Sequence, residues 1–152
     1  MRKCTPTILS LATVAVFGGA SFWLAASTAA QTVHLPADAG DLSNTAAIEV
    51  KDGSGAVVLR GQFVEQPEDD DDVERKAQLI GSGPSAQAAG EAEIEVSKSN
   101  DGVDQEVEVS VSNLTPGATY SVVLDSRPIG TFQTNEDGKG EVEFTSPPAA
   151  KP

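Results

Sequence analysis

The side chains in this chain that can do chemistry are almost all carboxylates. Glu68-Asp69-Asp70-Asp71-Asp72 is an uninterrupted acidic run. Glu91, Glu93 and Glu95 alternate with apolar residues, and so do Glu106 and Glu108, and Glu141 and Glu143. Carboxylates at this density offer two chemistries: oxygen ligation of a hard cation, and electrostatic recognition of a basic partner. Calcium takes roughly six to eight oxygens converging on one point. Adjacent aspartates point apart, so Asp69, Asp70, Asp71 and Asp72 are candidate calcium ligands only in an alternative reading. There the acidic loop and the glutamate face make a calcium-dependent binding module. Asn135-Glu136-Asp137-Gly138 holds a fragment of a calcium-loop pattern and lacks the spaced acid that would complete it. The first reading assigns no metal and no cofactor.

Other chemistries lack their parts. The only histidine, His34, sits in a stretch with Pro36, Asp38, Gly40 and Asp41. General acid–base work calls for a histidine or a carboxylate in a perturbing pocket. No serine stands in a G-x-S-x-G elbow. Gly53-Ser54-Gly55 and Gly81-Ser82-Gly83 have neither the lysine nor the following helix of a phosphate loop. No catalytic residue is assigned, and the chain is not expected to be an enzyme.

The elements that carry these residues read as strands. Ala92, Ile94 and Val96 alternate with the first glutamate set, and Val107, Val109 and Val111 with the second. Period two is the signature of a half-buried strand. Ser97 to Gly102, with Asn100-Asp101-Gly102 at its core, joins the two as a hairpin. Like charges then stand opposite one another, at up to about 1 kcal/mol per pair. Lys76, Arg75 and Lys98 are the nearby cations. The same face also blocks edge-to-edge aggregation. Further strands are predicted at 45–50, 56–64, 73–80, 120–124, 129–134 and 141–145. No window after the first thirty residues has helical apolar spacing. About eight short strands imply a β-sandwich or a barrel.

One local motif sharpens this. Leu114-Thr115-Pro116-Gly117-Ala118-Thr119-Tyr120 leads into Ser-Val-Val-Leu124. Pro116-Gly117 turns the chain, Leu114 plugs the end of the core, and Tyr120 buries its ring while its hydroxyl finds a partner. The stretch resembles the Leu-x-Pro-x-x-x-Tyr segment of fibronectin type III domains, where the tyrosine opens a strand and its hydroxyl bonds back to the upstream backbone. The resemblance covers about fourteen residues and implies an immunoglobulin-like antiparallel β-sandwich. The chain departs from that family in having no tryptophan in an early strand. Nothing about a ligand follows, because such folds host many functions.

The N-terminus sets the compartment. Arg2 and Lys3 precede the apolar run Ile8–Phe17 and a small-residue exit, Ser27-Thr28-Ala29-Ala30. That order is a secretory signal, with cleavage after Ala30. Left uncleaved, the segment would tether the protein to a membrane. Cleavage leaves 122 of the 152 residues, enough for one domain. It also removes the sole cysteine, Cys4, and with Arg2 and Lys3 takes the net charge from −13 to −15. Such a charge argues against nucleic acid and anionic lipid as partners.

The expected organisation is a signal peptide at 1–30, a linker at 31–43, a β-sandwich domain at 44–146 and a Pro-rich tail at 147–152. The expected function is a secreted or periplasmic non-catalytic module with an interaction or structural role in the cell envelope or exterior. Its partner would be a protein or an envelope component.

Overall fold

The alternating glutamate–valine pattern becomes the longest hairpin of the molecule. The computed structural model describes residues 30–67, 72–99 and 102–147. β6 (Ala89–Ser99) and β7 (Gly102–Ser112) pair antiparallel along their whole length. Successive side chains of a strand point to opposite faces. Ile94, Val96, Val107 and Val109 therefore point inward and are fully buried, while the intervening glutamates point out. The Asn100-Asp101 part of the connecting turn lies outside the described residues.

β5 (Val73–Gly81) joins one side of this hairpin, Ala77 opposite Ala92. β10 (Gly140–Thr145) joins the other, Val142 opposite Val109 and Phe144 opposite Val107. β1 (Gln31–His34) runs parallel to β10. Beyond β5 follow β3 (Val57–Gln62), β2 (Ala47–Lys51), β8 (Thr119–Leu124) and β9 (Arg127–Gln133). A two-residue strand, β4 (Val64–Glu65), pairs with β5 beside this path. One turn of 3-10 helix, Gly83–Ser85, is the helical element among the described residues.

Among the described residues the fold is therefore all-β, with ten strands in one sheet curled into a nearly closed barrel. The expectation of about eight strands in two stacked sheets differs in count and in connectivity. β1 and β4 are additional, and β3 carries the ladder without a break from β5 to β2.

Closure uses side chains where the ladder stops. β9 and β10 lie side by side with no pairing of their own. Phe132 covers Gly140, and Phe144 covers Gly130. A Cβ on Gly140 would come within 2.6 Å of the Phe132 ring, and one on Gly130 within 2.5 Å of the Phe144 ring. Glycine is thus required at both positions for the aromatic rings to seal the gap.

The stretch 31–43, expected as a linker, is part of this barrel. Gln31–His34 is strand β1, and Leu35, Ala39 and Leu42 are buried in the core. Barrel-wall side chains hold the segment down. Arg127 Nη1 donates to Ala39 O at 2.6 Å, Gln105 Nε2 to Gly40 O at 3.0 Å, and Arg75 Nη1 to Ser43 O at 2.8 Å. The Pro, Gly and Asp content that suggests a linker instead shapes an irregular plug over apolar residues that are not periodic. Residues 1–29 of the expected signal peptide at 1–30, and residues 148–152 of the expected tail at 147–152, lie outside the described residues. Among the described residues, no helix is long and apolar enough to cross a membrane.

The Leu114–Tyr120 turn behaves as its residue types require. Tyr120 is 4% exposed, and its hydroxyl oxygen accepts the Thr115 N–H at 3.1 Å. Its ring stacks on Phe132 with centroids 5.8 Å apart. Thr134, also buried, donates its hydroxyl to Thr115 O at 2.7 Å and ties the turn to the end of β9.

Candidate functional site: the acidic outer face

The register of β5, β6, β7 and β10 arranges the outward side chains in cross-strand rows. One row reads Glu74, Glu95, Glu106, Thr145. The next reads Lys76, Glu93, Glu108, Glu143, and the third Gln78, Glu91, Ser110, Glu141. Residues directly opposite on neighbouring strands have Cβ atoms about 4.5–5.5 Å apart. Glu93, Glu108 and Glu143 are therefore three successive like-charge neighbours. The hairpin expected between the two glutamate sets is the one observed, and its register sets Glu93 opposite Glu108 and Glu95 opposite Glu106.

Lys76 is the cation within these rows. Its Nζ lies 2.7 Å from Glu74 Oε1 and 3.3 Å from Glu93 Oε1. Hydrogen bonds to Glu74 and Glu93 raise the Lys76 pKa above its ordinary value. The same ion pair pulls the Glu93 pKa down, but partial burial between strands pushes it up more strongly, and Glu74 adds to the rise. The net shift at Glu93 is upward. Glu106 is raised too, first by burial and then by Glu143, Glu95, Glu108 and Glu93. Both glutamates therefore hold their protons more tightly than an isolated carboxyl.

Three carboxylates converge most closely. Oxygens of Glu74, Glu93 and Glu95 lie within 4.8 Å of one another. A shallow depression beside them is lined by Asp72, Glu74, Glu95 and Ser97. A second is walled by Glu93, Glu95, Glu106 and Glu108. Three carboxylates fall short of a full calcium shell, and the Lys76 ammonium already sits on two of them.

Of the sequence-derived calcium candidates, Asp72 is exposed at the start of β5, and Asp69, Asp70 and Asp71 lie outside the described residues. Glu74, not counted with the acidic face beforehand, joins it because alternation along β5 turns Glu74, Lys76 and Gln78 outward together. Arg75, one residue out of phase, turns toward the plug instead. The Asn135–Gly138 segment is an ordinary turn. Asn135 Oδ1 accepts the Asp137 and Lys139 N–H groups, each at 2.9 Å. His34 is exposed on β1 and lies in the row of Glu106, with Thr145 between them.

No family model, curated protein or solved structure matches this chain.

Proposed function

We propose that this protein is a secreted or periplasmic, non-catalytic module that uses its acidic outer face to engage a basic partner of the cell envelope or exterior. The observation that carries the proposal is the row Glu93–Glu108–Glu143. Unlike charges would be favoured at those facing positions, yet like charges occupy them across three strands. A cationic partner would neutralise a repulsion already present in the free protein. The rigid hairpin behind the face would spare the binding step most ordering entropy. Charge complementarity of this kind speeds association and weakens with salt.

We also infer that the barrel is related to immunoglobulin-like sandwiches. The support is the Leu114–Tyr120 corner, in which the tyrosine hydroxyl bonds to the backbone five residues upstream.

The calcium-dependent reading has its own support in the convergence of Glu74, Glu93 and Glu95 beside Asp72. In that reading the ion displaces Lys76 and recruits further oxygens from the acidic loop.

One titration separates the two. An oligolysine peptide should bind the protein at low salt, release as sodium chloride rises, and bind the Glu108→Lys variant less well. Calcium, compared with sodium chloride at equal ionic strength, should raise the melting temperature saturably only under the calcium reading. A protein that ignores oligolysine at low salt would remove the basic-partner proposal.

A further inference from the structure

Between β1 and β9 the barrel closes through a side chain. Gln31 Nε2 donates to Gln133 O at 2.9 Å, and the Gln133 N–H donates to Gln31 Oε1 at 3.2 Å. The amide of Gln31 thus imitates a backbone peptide and fills both hydrogen-bonding positions of Gln133. The main chain of Gln31 is meanwhile registered with Val142 on β10. One residue spans the seam, with its backbone on one side and its side chain on the other.

We propose that Gln31 is a modification site gated by this seam. The proposal rests on cleavage after Ala30, part of the secreted reading above, which turns the Gln31 nitrogen into a free α-amine. An N-terminal glutamine can cyclise. The neutral amine attacks its own Cδ, a C–N bond forms, the Cδ–Nε2 bond breaks, and ammonia leaves. Water carries the proton from the attacking nitrogen to the departing one. Nothing is oxidised or reduced, and no co-reactant is needed. The attack requires the side chain to fold back onto its own nitrogen.

The clasp on Gln133 engages both polar atoms of the amide, so the side chain must leave it before it can fold back. A closed barrel therefore preserves Gln31, and an open seam exposes it. The change cannot be undone by reclosing. The resulting lactam has lost Nε2, and with it the donor to Gln133 O, so this rung cannot form again. Pyroglutamate at position 31 is then both a record of opening and a bias toward it.

The test uses the full chain, secreted through its own leader. Intact mass of the released protein locates its first residue. The protein is then held at neutral pH, either native or unfolded in urea, and the loss of one ammonia is followed by mass. Cyclisation in the native protein should be roughly tenfold slower or more, the protection expected when two modest hydrogen bonds must break first. The cyclised protein, once separated, should exchange the Gln133 amide faster than the intact form. Equal rates in native and unfolded protein overturn the gating while leaving the cleavage site in place. A first residue other than Gln31 overturns both, because Gln31 then has no free amine.

Discussion

The two sides of this barrel solve the same burial problem and then diverge. On the side of β5, β6 and β7 the interior is small and aliphatic, Ala77, Ala92, Val107 and Val109, and the exterior is a field of glutamates. On the side of β8 and β9 the interior holds Tyr120 and Phe132, and stability is concentrated in side chain–backbone hydrogen bonds at the turns. The first side tolerates repulsion on its surface because its long, complete ladders and dry valine rows hold the strands in place regardless. The second has shorter strands and a register shift between Val122 and Val123, so corners must lock it. The acidic charge sits on the side that can carry it.

The largest effect should come from the corner side. Tyr120→Ala should destabilise by about 3–5 kcal/mol, as large core truncations do. Tyr120→Phe should cost about 1 kcal/mol, because only the partner of the Thr115 N–H is lost. Chemical denaturation of both variants checks this. An unchanged midpoint for the alanine variant would mean that the corner does not lock the fold.

Asp125 comes next. Its carboxylate accepts the Ala46 N–H at 3.1 Å and the Ala47 N–H at 2.9 Å, pinning the start of β2 to the β8–β9 turn. Asp125→Ala should cost about 1–3 kcal/mol, since two backbone donors lose a charged acceptor. The neighbouring Ser126 has φ of 74°, a left-handed conformation natural to glycine. Ser126→Gly should therefore stabilise by about 0.5–1 kcal/mol. A loss of stability there would show that the serine side chain matters more than its backbone strain.

These elements were unequally legible in the sequence. Strict alternation at 91–96 and 106–111 gave the hairpin, its inward set and its glutamate face, because period two fixes the face of every side chain once one is assigned, whereas the pairing of Glu93 with Glu108 depends on the turn. Leu114, Pro116, Gly117 and Tyr120 announced the corner. β1 was hidden because Val33 is its one apolar residue. The plug was hidden because Leu35, Ala39 and Leu42 follow no period and are buried only by contact with the barrel end. Closure was hidden for a different reason. It depends on Phe132 meeting Gly140 and Phe144 meeting Gly130, pairings between strands that share no ladder. Glu74 was legible in principle, since it shares the parity of Gln78, but an acidic residue in a strand with mixed charges does not stand out.

The acidic side should also respond to pH, with a smaller effect. Glu93 and Glu106 have raised pKa values in the folded protein. A carboxyl raised on folding binds protons more readily when native, so its favourable contribution is complete below the unfolded value and is lost as pH rises through the folded one. Stability should therefore increase as pH falls from neutrality toward the ordinary glutamate range. Below that, Asp41 and Asp52 act oppositely. Their pKa values are lowered, chiefly by hydrogen bonds from Ser43 and Ser54, and their contribution disappears as they protonate. Glu106→Gln should raise the melting temperature at neutral pH and shrink the gain on mild acidification. A melting temperature that falls steadily from pH 7 downward would contradict the repulsion.

The most direct measurement is the melting temperature against sodium chloride, for the native sequence and for Glu108→Lys. Glu108 is the position of choice because it stands between Glu93 and Glu143, so one substitution turns two like-charge neighbours into ion pairs. Glu93→Lys would instead place a second cation beside Lys76. Exposed charges are screened over roughly 10 Å at 0.1 M salt. The native protein should gain stability as salt is added from near zero. The variant should start higher and respond less. A native melting temperature indifferent to salt, with Glu108→Lys no more stable at low salt, would show that the glutamates are already compensated, and the acidic face would lose its claim as an unsatisfied surface awaiting a cationic partner.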